Sequence, residues 1–233
     1  RVARTLPHLI TVSRCARNDI CRDFRIHRER FNIVPNGINT DFFYPIPGIE
    51  REKNRIIVTN SADTPLKGLF FLLQAIANIS KHRDIRLTVV GTPKKNSQVA
   101  RFIRDLDIAG RINFTGRISH DEFVRQYARA TVAVIPSVYE GFGLPAGEAM
   151  ACGIPAISTS GGALPEVVGD AGLLVPPADA EALAQAIITI LDHPDLARRL
   201  GAAGYKRVQQ HLTWKAAARK TVDVYQKAIH DHH

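Results

Sequence analysis

From residue 55 onward, the chain alternates short runs of β-branched and apolar residues with segments whose apolar positions recur every three or four residues. The short runs predict β-strands, and the longer recurrence predicts helices that bury one face. Strands that alternate with helices form a parallel sheet with helices on both faces. The sequence therefore predicts an α/β fold with six strands, at Arg55–Thr59, Ile85–Val90, Arg111–Phe114, Thr131–Ile135, Pro155–Ser158 and Gly172–Val175.

Both ends of the chain depart from this alternation. A helix is predicted over residues 13–25, and residues 34–47 are rich in Pro, Asn and Gly, which indicates a linker. After the last strand, three helices are predicted to begin at Asp179, Pro194 and Thr213.

The composition is that of a globular protein, with 45% hydrophobic and 23% charged residues among 233. No apolar run approaches the ~20 residues that span a bilayer. The three cysteines are an odd number at spacings that match no zinc or disulfide framework, which favours the cytoplasm. The chain begins with Arg1 rather than Met and has no targeting pattern, so we interpret it as a fragment.

The net charge of +9 is concentrated at the two ends of the chain. Residues 1–30 carry +5 and residues 198–220 carry +7, whereas residues 31–197 carry −2. A near-neutral centre argues against a nucleic-acid partner. Three alternatives stay open for the basic ends: peripheral contact with anionic lipid on the inner face of the membrane, contact with a phosphorylated ligand, or solvated helix faces.

The densest cluster of chemical groups lies between Pro136 and Pro155, where Glu140 and Glu148 flank a glycine-rich stretch. Pro145 suits a first helical position, so Glu148 is expected in the first turn of a helix. Carboxylates accept hydrogen bonds from vicinal hydroxyls, and exposed amides suit phosphate. The cluster predicts a pocket for a sugar and a ribose, while a helix N-terminal charge partner is the alternative for Glu148.

A lysine is placed between the first predicted strand and its helix. Lys67 is followed by Gly68, and an ammonium at the mouth of a helix can bind a diphosphate. An exposed loop lysine is the alternative. A second small-residue loop, at residues 159–166, could line the same pocket or serve as a tight turn.

Other enzyme classes find little support in the motifs. Gly141, Gly143 and Ala146 satisfy a dinucleotide-binding fingerprint, but the next strand ends without the acidic residue that would hold an adenosine ribose. There is no H-E-x-x-H zinc motif and no G-x-S-x-G nucleophile elbow. His120, beside two acids, suits the predicted capping box of Ser119 and Glu122 better than a metal site, and no metal is predicted.

These residues resemble the retaining glycosyltransferases of family 4, which have the GT-B architecture. The stretch S-V-Y-E-G-F-G-L-P-A-G-E-A-M-A-C-G-I-P looks like the family motif of two glutamates separated by seven residues. Four other stretches are similar to family blocks: L-I-T-V-S-R at 9–14, V-P-N-G-I-N-T-D-F-F-Y-P at 34–45, S-G-G-A-L-P-E-V-V at 160–168 and A-G-L-L-V-P-P-A-D at 171–179.

The resemblance implies a Rossmann-like sheet, the C-terminal half of a GT-B enzyme, in three parts. Residues 1–47 would be the tail of the acceptor domain and the hinge, residues 48–210 the nucleotide-sugar donor domain, and residues 211–233 a C-terminal helix. The implied activity is transfer of a sugar from a nucleoside diphosphate to an acceptor hydroxyl with retention, without a cofactor. The acceptor, a carbohydrate or a lipid-linked group, would bind through the missing N-terminal domain.

The resemblance also assigns roles to residues. Lys67 would hold the donor diphosphate, Glu140 would contact the transferred sugar near its anomeric centre, and Glu148 would hold the ribose hydroxyls. Both Glu140 and Lys67 would be catalytic. The other donor-binding residues would be Ser61; Gly116, Arg117 and Ile118, which line the base; and Gly141, Phe142, Gly143 and Leu144, whose amides meet sugar and phosphate.

Two departures from the family pattern limit what this chain should do alone. The family arginine five residues before the phosphate lysine is replaced by Ala62, and the acceptor domain is nearly absent. We therefore expect the isolated chain to be inactive. A GT-B epimerase or phosphorylase and a non-catalytic module that binds nucleotide sugars are the alternatives.

Overall fold

The structure is a computed structural model that describes residue 3 and residues 5–59, 64–92 and 97–231. The strands in these ranges are β1 Leu9–Thr11, β2 Phe31–Ile33, β3 Arg55–Thr59, β4 Arg86–Val90, β5 Ile112–Phe114, β6 Val132–Ile135, β7 Ala156–Thr159 and β8 Leu173–Val175. The helices are α1 Arg14–Phe24, α2 Leu69–Ser80, α3 Gln98–Asp105, α4 His120–Arg129, α5 Leu144–Ala151, α6 Leu164–Val168, α7 Ala180–Asp192, α8 Pro194–His211 and α9 Trp214–His230.

Six strands form one parallel sheet in the order β5-β4-β3-β6-β7-β8. They are the six strands that the hydrophobic runs predict, and the bounds agree to within one residue at either end. β1 and β2 pair with each other in a separate parallel pair. The predicted α/β fold with a parallel sheet is confirmed.

The core has two layers, one on each face of the sheet. Successive residues of β3 point to opposite faces, so Ile56 and Val58 pack with α2 and α7, whereas Ile57 packs with α4, α5 and α8. Leu72 and Leu73 of α2 are fully buried, and burial of each such side chain stabilises the fold by roughly 1.5–3 kcal/mol. Helices therefore cover both faces, as the sequence predicts.

The predicted helix starts are capped as their residue types suggest. The side chains of Ser13, Ser119, Asp179 and Thr213 each accept a hydrogen bond from the amide three residues on. The predicted capping box at Ser119 is only half correct, because Glu122 Oε1 accepts hydrogen bonds from Gln126 and Arg129 of its own helix. Side chains further along the same helix face engage this carboxylate.

The linker runs against the junction of α8 and α9. Ile38 forms a β-bridge with Thr213, and its amide donates to Leu212 O at 2.7 Å. Gly37 is needed at this crossing because a Cβ there would lie 2.4 Å from the backbone of Trp214. The segment that enters the large sheet therefore lies beside the segment that leaves α8.

Candidate functional site

The strand order places a crevice between β3 and β6. The connection after β3 leads to β4 on one side, whereas the connection after β6 leads to β7 on the other. Ligands of open parallel sheets bind at such a switch point, outside the carboxyl ends of the strands. The loops that border it are residues 60–68, described from Thr64 onward, and residues 136–143.

An ion pair joins these two loops. Lys67 Nζ donates a hydrogen bond to Glu140 Oε1 at 2.6 Å, and the buried Ser137 hydroxyl donates to the same oxygen at 2.9 Å. The Glu140 side chain is 12% exposed and that of Lys67 34% exposed, so the pair lies at the mouth of the crevice. Lys67 is the last residue of a 3₁₀ helix that begins at Pro65, directly before α2.

Tight backbone packing fixes the position of the lysine. The Val138 amide donates to Leu66 O at 2.8 Å and joins the two loops through their main chains. Gly68 has φ +69°, and a Cβ there would lie 1.9 Å from Pro136 O. Only glycine combines this left-handed conformation with so close an approach.

Four consecutive backbone amides at the start of α5 indicate a binding site for electronegative groups. Within the described residues, the amides of Gly141, Phe142, Gly143 and Leu144 have no hydrogen-bond acceptor. The helix dipole adds positive potential at this end of α5. Gly141 has no atom within 4 Å of an added Cβ, so the backbone there is open to a ligand. The amides of these four predicted donor-binding residues are therefore available to a ligand.

Glu148 is partly buried and lies on α5, beyond the row of amides. Burial raises its pKa to about 7, and this carboxyl also contributes, after burial, to the raised pKa of Tyr127 and of Cys152. The prediction that Glu148 lies in the first turn is wrong: α5 begins at Leu144, with Pro145 second and Glu148 fifth. The helix starts one residue earlier because Gly143, at φ +103°, takes the cap position.

The segment Gly116–Ile118 borders a small cavity at the carboxyl end of β4 and β5. The cavity has a volume of about 220 Å³, and Gly116 and Ile118 line it, together with Val90, Gly91, Ser119, His120 and Phe123. Gly116, at φ +69°, turns the chain there, and its amide donates to Gly91 O at 3.0 Å. Arg117 is exposed and does not line the cavity.

Comparison with known proteins identifies the family. Residues 45–207 match the family model described as Glycosyl transferases group 1. The chain belongs to the group 1 glycosyl transferases. It is 43% identical over 232 residues to MMP alpha-(1->4)-mannosyltransferase of Mycolicibacterium hassiacum, with 98% of this chain and 56% of that protein covered.

Two solved structures support the same fold. Sucrose-phosphate synthase of Thermosynechococcus elongatus is 32% identical, with a TM-score of 0.81 over 99% of this chain and 61% of that chain. Anabaena HepE in complex with UDP is 19% identical, with a TM-score of 0.84 over 95% and 64%. These comparisons confirm that the chain belongs to a glycosyltransferase family and has the GT-B type of fold, and this group 1 chain spans about half the length of its curated relatives.

Three further observations concern residues 61 and 62, metal ligands and membrane-spanning helices. Ser61 and Ala62 lie outside the described residues. No group of three His, Cys, Asp or Glu residues that could hold a metal occurs in the described ranges. No helix in those ranges is both long and apolar enough to cross a bilayer.

Glu166 is a carboxylate near the crevice for which the sequence predicts no role. Glu166, in the first turn of α6, accepts hydrogen bonds from the amides of Arg14 and Cys15 at 2.9 and 2.8 Å. Its position at a helix start in the small-residue loop after β7 is the local signal. The partner lies more than 150 residues away in the sequence and carries no signal of its own.

Proposed function

We propose that this chain is the donor-binding part of a retaining family 4 glycosyltransferase, which transfers a hexosyl group from a nucleoside diphosphate to an acceptor hydroxyl. The observation that carries the proposal is the Lys67–Glu140 pair at the switch point, beside four amides without acceptors. A cation, amides and carboxylates in one crevice suit a ligand with a diphosphate and several hydroxyls.

In the proposed reaction, the bond between the anomeric carbon and the diphosphate oxygen breaks, and the diphosphate leaves with the electron pair. A bond forms between the anomeric carbon and the acceptor oxygen, which passes its proton to the departing diphosphate oxygen. Lys67 and the amides of residues 141–144 would stabilise the leaving charge, and one well-placed donor of this kind contributes roughly 3 kcal/mol to lowering a barrier. No step of the proposal requires a resident metal.

The carboxylates would divide the hydroxyl contacts between them. Glu140, at the mouth of the crevice, would face the transferred sugar, whereas Glu148, on α5, would face the ribose. The cavity beside Gly116 and Ile118 would take the base. HepE, a structural neighbour, was crystallised with UDP, and the mannosyltransferase relative is named for a hexosyl transfer, which supports a nucleotide hexose as donor.

The acceptor and membrane contact belong to the same proposal. The acceptor, a carbohydrate or a lipid-linked group, would bind to a domain outside this chain, so the chain alone should bind donors only weakly and transfer nothing. The basic segments at residues 1–30 and 198–220 would allow peripheral contact with an anionic membrane.

Calorimetric titration with two matched sets of ligands tests the proposal. The sets are UDP, GDP and ADP, and the nucleotide sugars UDP-glucose, GDP-mannose and ADP-glucose. Glu148→Ala should weaken both members of the preferred pair alike, whereas Glu140→Ala should weaken only the nucleotide sugar. Glu181→Ala, an exposed glutamate in the first turn of α7, is the control.

Two outcomes would overturn the assignment. If wild type binds no member of either set, the crevice is not a donor site in this chain. If both variants bind every ligand as wild type does, Glu140 and Glu148 do not contact the donor.

A further inference from the structure

The start of helix α1 lies on the loop that carries Glu140. The Ser13 hydroxyl donates a hydrogen bond to Gly141 O at 2.8 Å, and the Tyr139 hydroxyl donates one to Asp19. This bond to Asp19 is the largest cause of the raised pKa of Tyr139. Glu140 therefore stands between two residues that are both held by α1.

A second set of hydrogen bonds fixes the N-terminus of α1. The Glu166 carboxylate accepts from the amides of Arg14 and Cys15, which an α-helix leaves without internal partners, and from Arg14 Nε at 3.3 Å. A carboxylate on a helix N-terminus is stabilised by both the amides and the helix dipole. Glu166 thus anchors α1 on the same side of the sheet as the crevice.

Residues 161–163 also hold the loop that carries Glu140. The Ala163 amide donates to Glu140 O at 2.8 Å, and Gly162, at φ +65°, allows an approach in which a Cβ would lie 2.2 Å from that oxygen. The Glu140 main chain is therefore fixed from one side by residues 161–163. Its two neighbours are fixed from the other side by α1.

We propose that Ser13, Asp19 and Glu166 are positioning residues that hold α1 on the Tyr139–Gly141 loop, so that Glu140 faces the sugar of the donor. The proposal rests on the proposed function, because it assigns these three residues to the sugar half of that site. In this arrangement, α1, from the segment that precedes the large sheet, orients a residue of the donor crevice. Within the described residues, Asp19 pairs with Cys15, Arg22 and Tyr139, and not with Glu148 or with the lining of the cavity at Gly116, so we expect its loss to weaken binding of the sugar and not of the nucleotide.

The test compares two acids of the same helix. Asp19 and Asp23 both pair with Arg22, at 3.2 and 2.9 Å, but only Asp19 also reaches Tyr139. Asp19→Ala should weaken binding of the preferred nucleotide sugar by three- to tenfold and leave binding of the nucleoside diphosphate unchanged. Asp23→Ala should change neither affinity. A merely structural role for Asp19 would weaken both ligands alike or neither, and would overturn the proposal.

A measurement without ligand separates this proposal from the proposed function. The Val138 amide, bonded to Leu66 O, reports on the order of the loop through its hydrogen exchange. Its exchange should be several-fold faster in Asp19→Ala and in Glu166→Gln than in wild type, Asp23→Ala or Glu181→Gln. Unchanged exchange in the first two variants would overturn the positioning role. If wild type binds no nucleotide, the proposed function fails while the exchange still decides this inference.

Discussion

Glu148 gives a quantitative prediction because its carboxyl group is withdrawn from water and has no salt bridge among the described residues. Burial disfavours the charged form and raises the pKa from 4.5 to about 7. The folded protein therefore binds this proton more tightly than the unfolded chain does. The stabilisation is complete below the unfolded pKa and is lost as the pH rises through the folded pKa.

The size of the effect follows from the shift. A difference of one pKa unit corresponds to ~1.4 kcal/mol, so a shift from 4.5 to about 7 corresponds to roughly 3 kcal/mol. Glu148→Gln keeps the shape of the side chain but cannot ionise. The variant should lack the part of the pH dependence of stability that Glu148 causes. The free energy of unfolding of the variant, minus that of wild type, should therefore be larger above the folded pKa than it is in acid.

Urea denaturation at about pH 5 and about pH 8 measures this change. The free energy of unfolding of Glu148→Gln, minus that of wild type, should increase by about 2–3 kcal/mol between the two pH values. Glu181→Gln, at an exposed position, controls for the loss of one negative charge. A difference between Glu148→Gln and wild type that is the same at both pH values would refute the reasoning, because the carboxyl would then be solvated or paired.

Two further predictions concern stability. Gly68→Ala should lower the free energy of unfolding by about 3 kcal/mol or more, since its Cβ would meet Pro136 O; Gly48→Ala, at φ +77° with open space around it, should cost only about 1 kcal/mol. Equal costs in thermal or urea unfolding would show that the close approach does not matter. Leu73→Ala should lower the free energy of unfolding by about 2–5 kcal/mol, because Leu73 is fully buried. Leu66→Ala, at an exposed site, should lower it by under about 1 kcal/mol in the same measurement. Similar losses in the two variants would contradict the position of α2 in the core.

The central strands of the large sheet could be predicted from the sequence because they are buried on both faces. A strand such as Arg55–Thr59 is a nearly continuous apolar run, and turn residues mark its ends. The helix starts were predictable for a similar reason, since Asp179 and Thr213 are capping residue types directly before apolar periodicity. Local chemistry determines these features, so a local pattern reports them.

The start of α5 could not be predicted to the residue. Proline at the second helical position is as acceptable as at the first, because neither amide has an internal partner. The left-handed conformation of Gly143 decides the point, and it depends on tertiary packing, since an added Cβ there would lie 2.6 Å from Leu164. Because the helix begins one residue earlier than predicted, Glu148 is its fifth residue and lies outside the first turn.

The pairing of groups within the site depends on topology rather than on sequence neighbourhood. Lys67 and Glu140 are 73 residues apart and meet because β3 and β6 are adjacent in the sheet. The loop after β3 contains Lys67 and the loop after β6 contains Glu140. Either residue alone would be an ordinary charged side chain on a protein surface. Their contact at the carboxyl edge changes that, because the pair is tied into the crevice by Ser137 and by the main-chain bond from Val138 to Leu66. An ammonium that a diphosphate would attract is thus held beside the carboxylate that would face the sugar. The strand order supplies this proximity, and the proposed function depends on it.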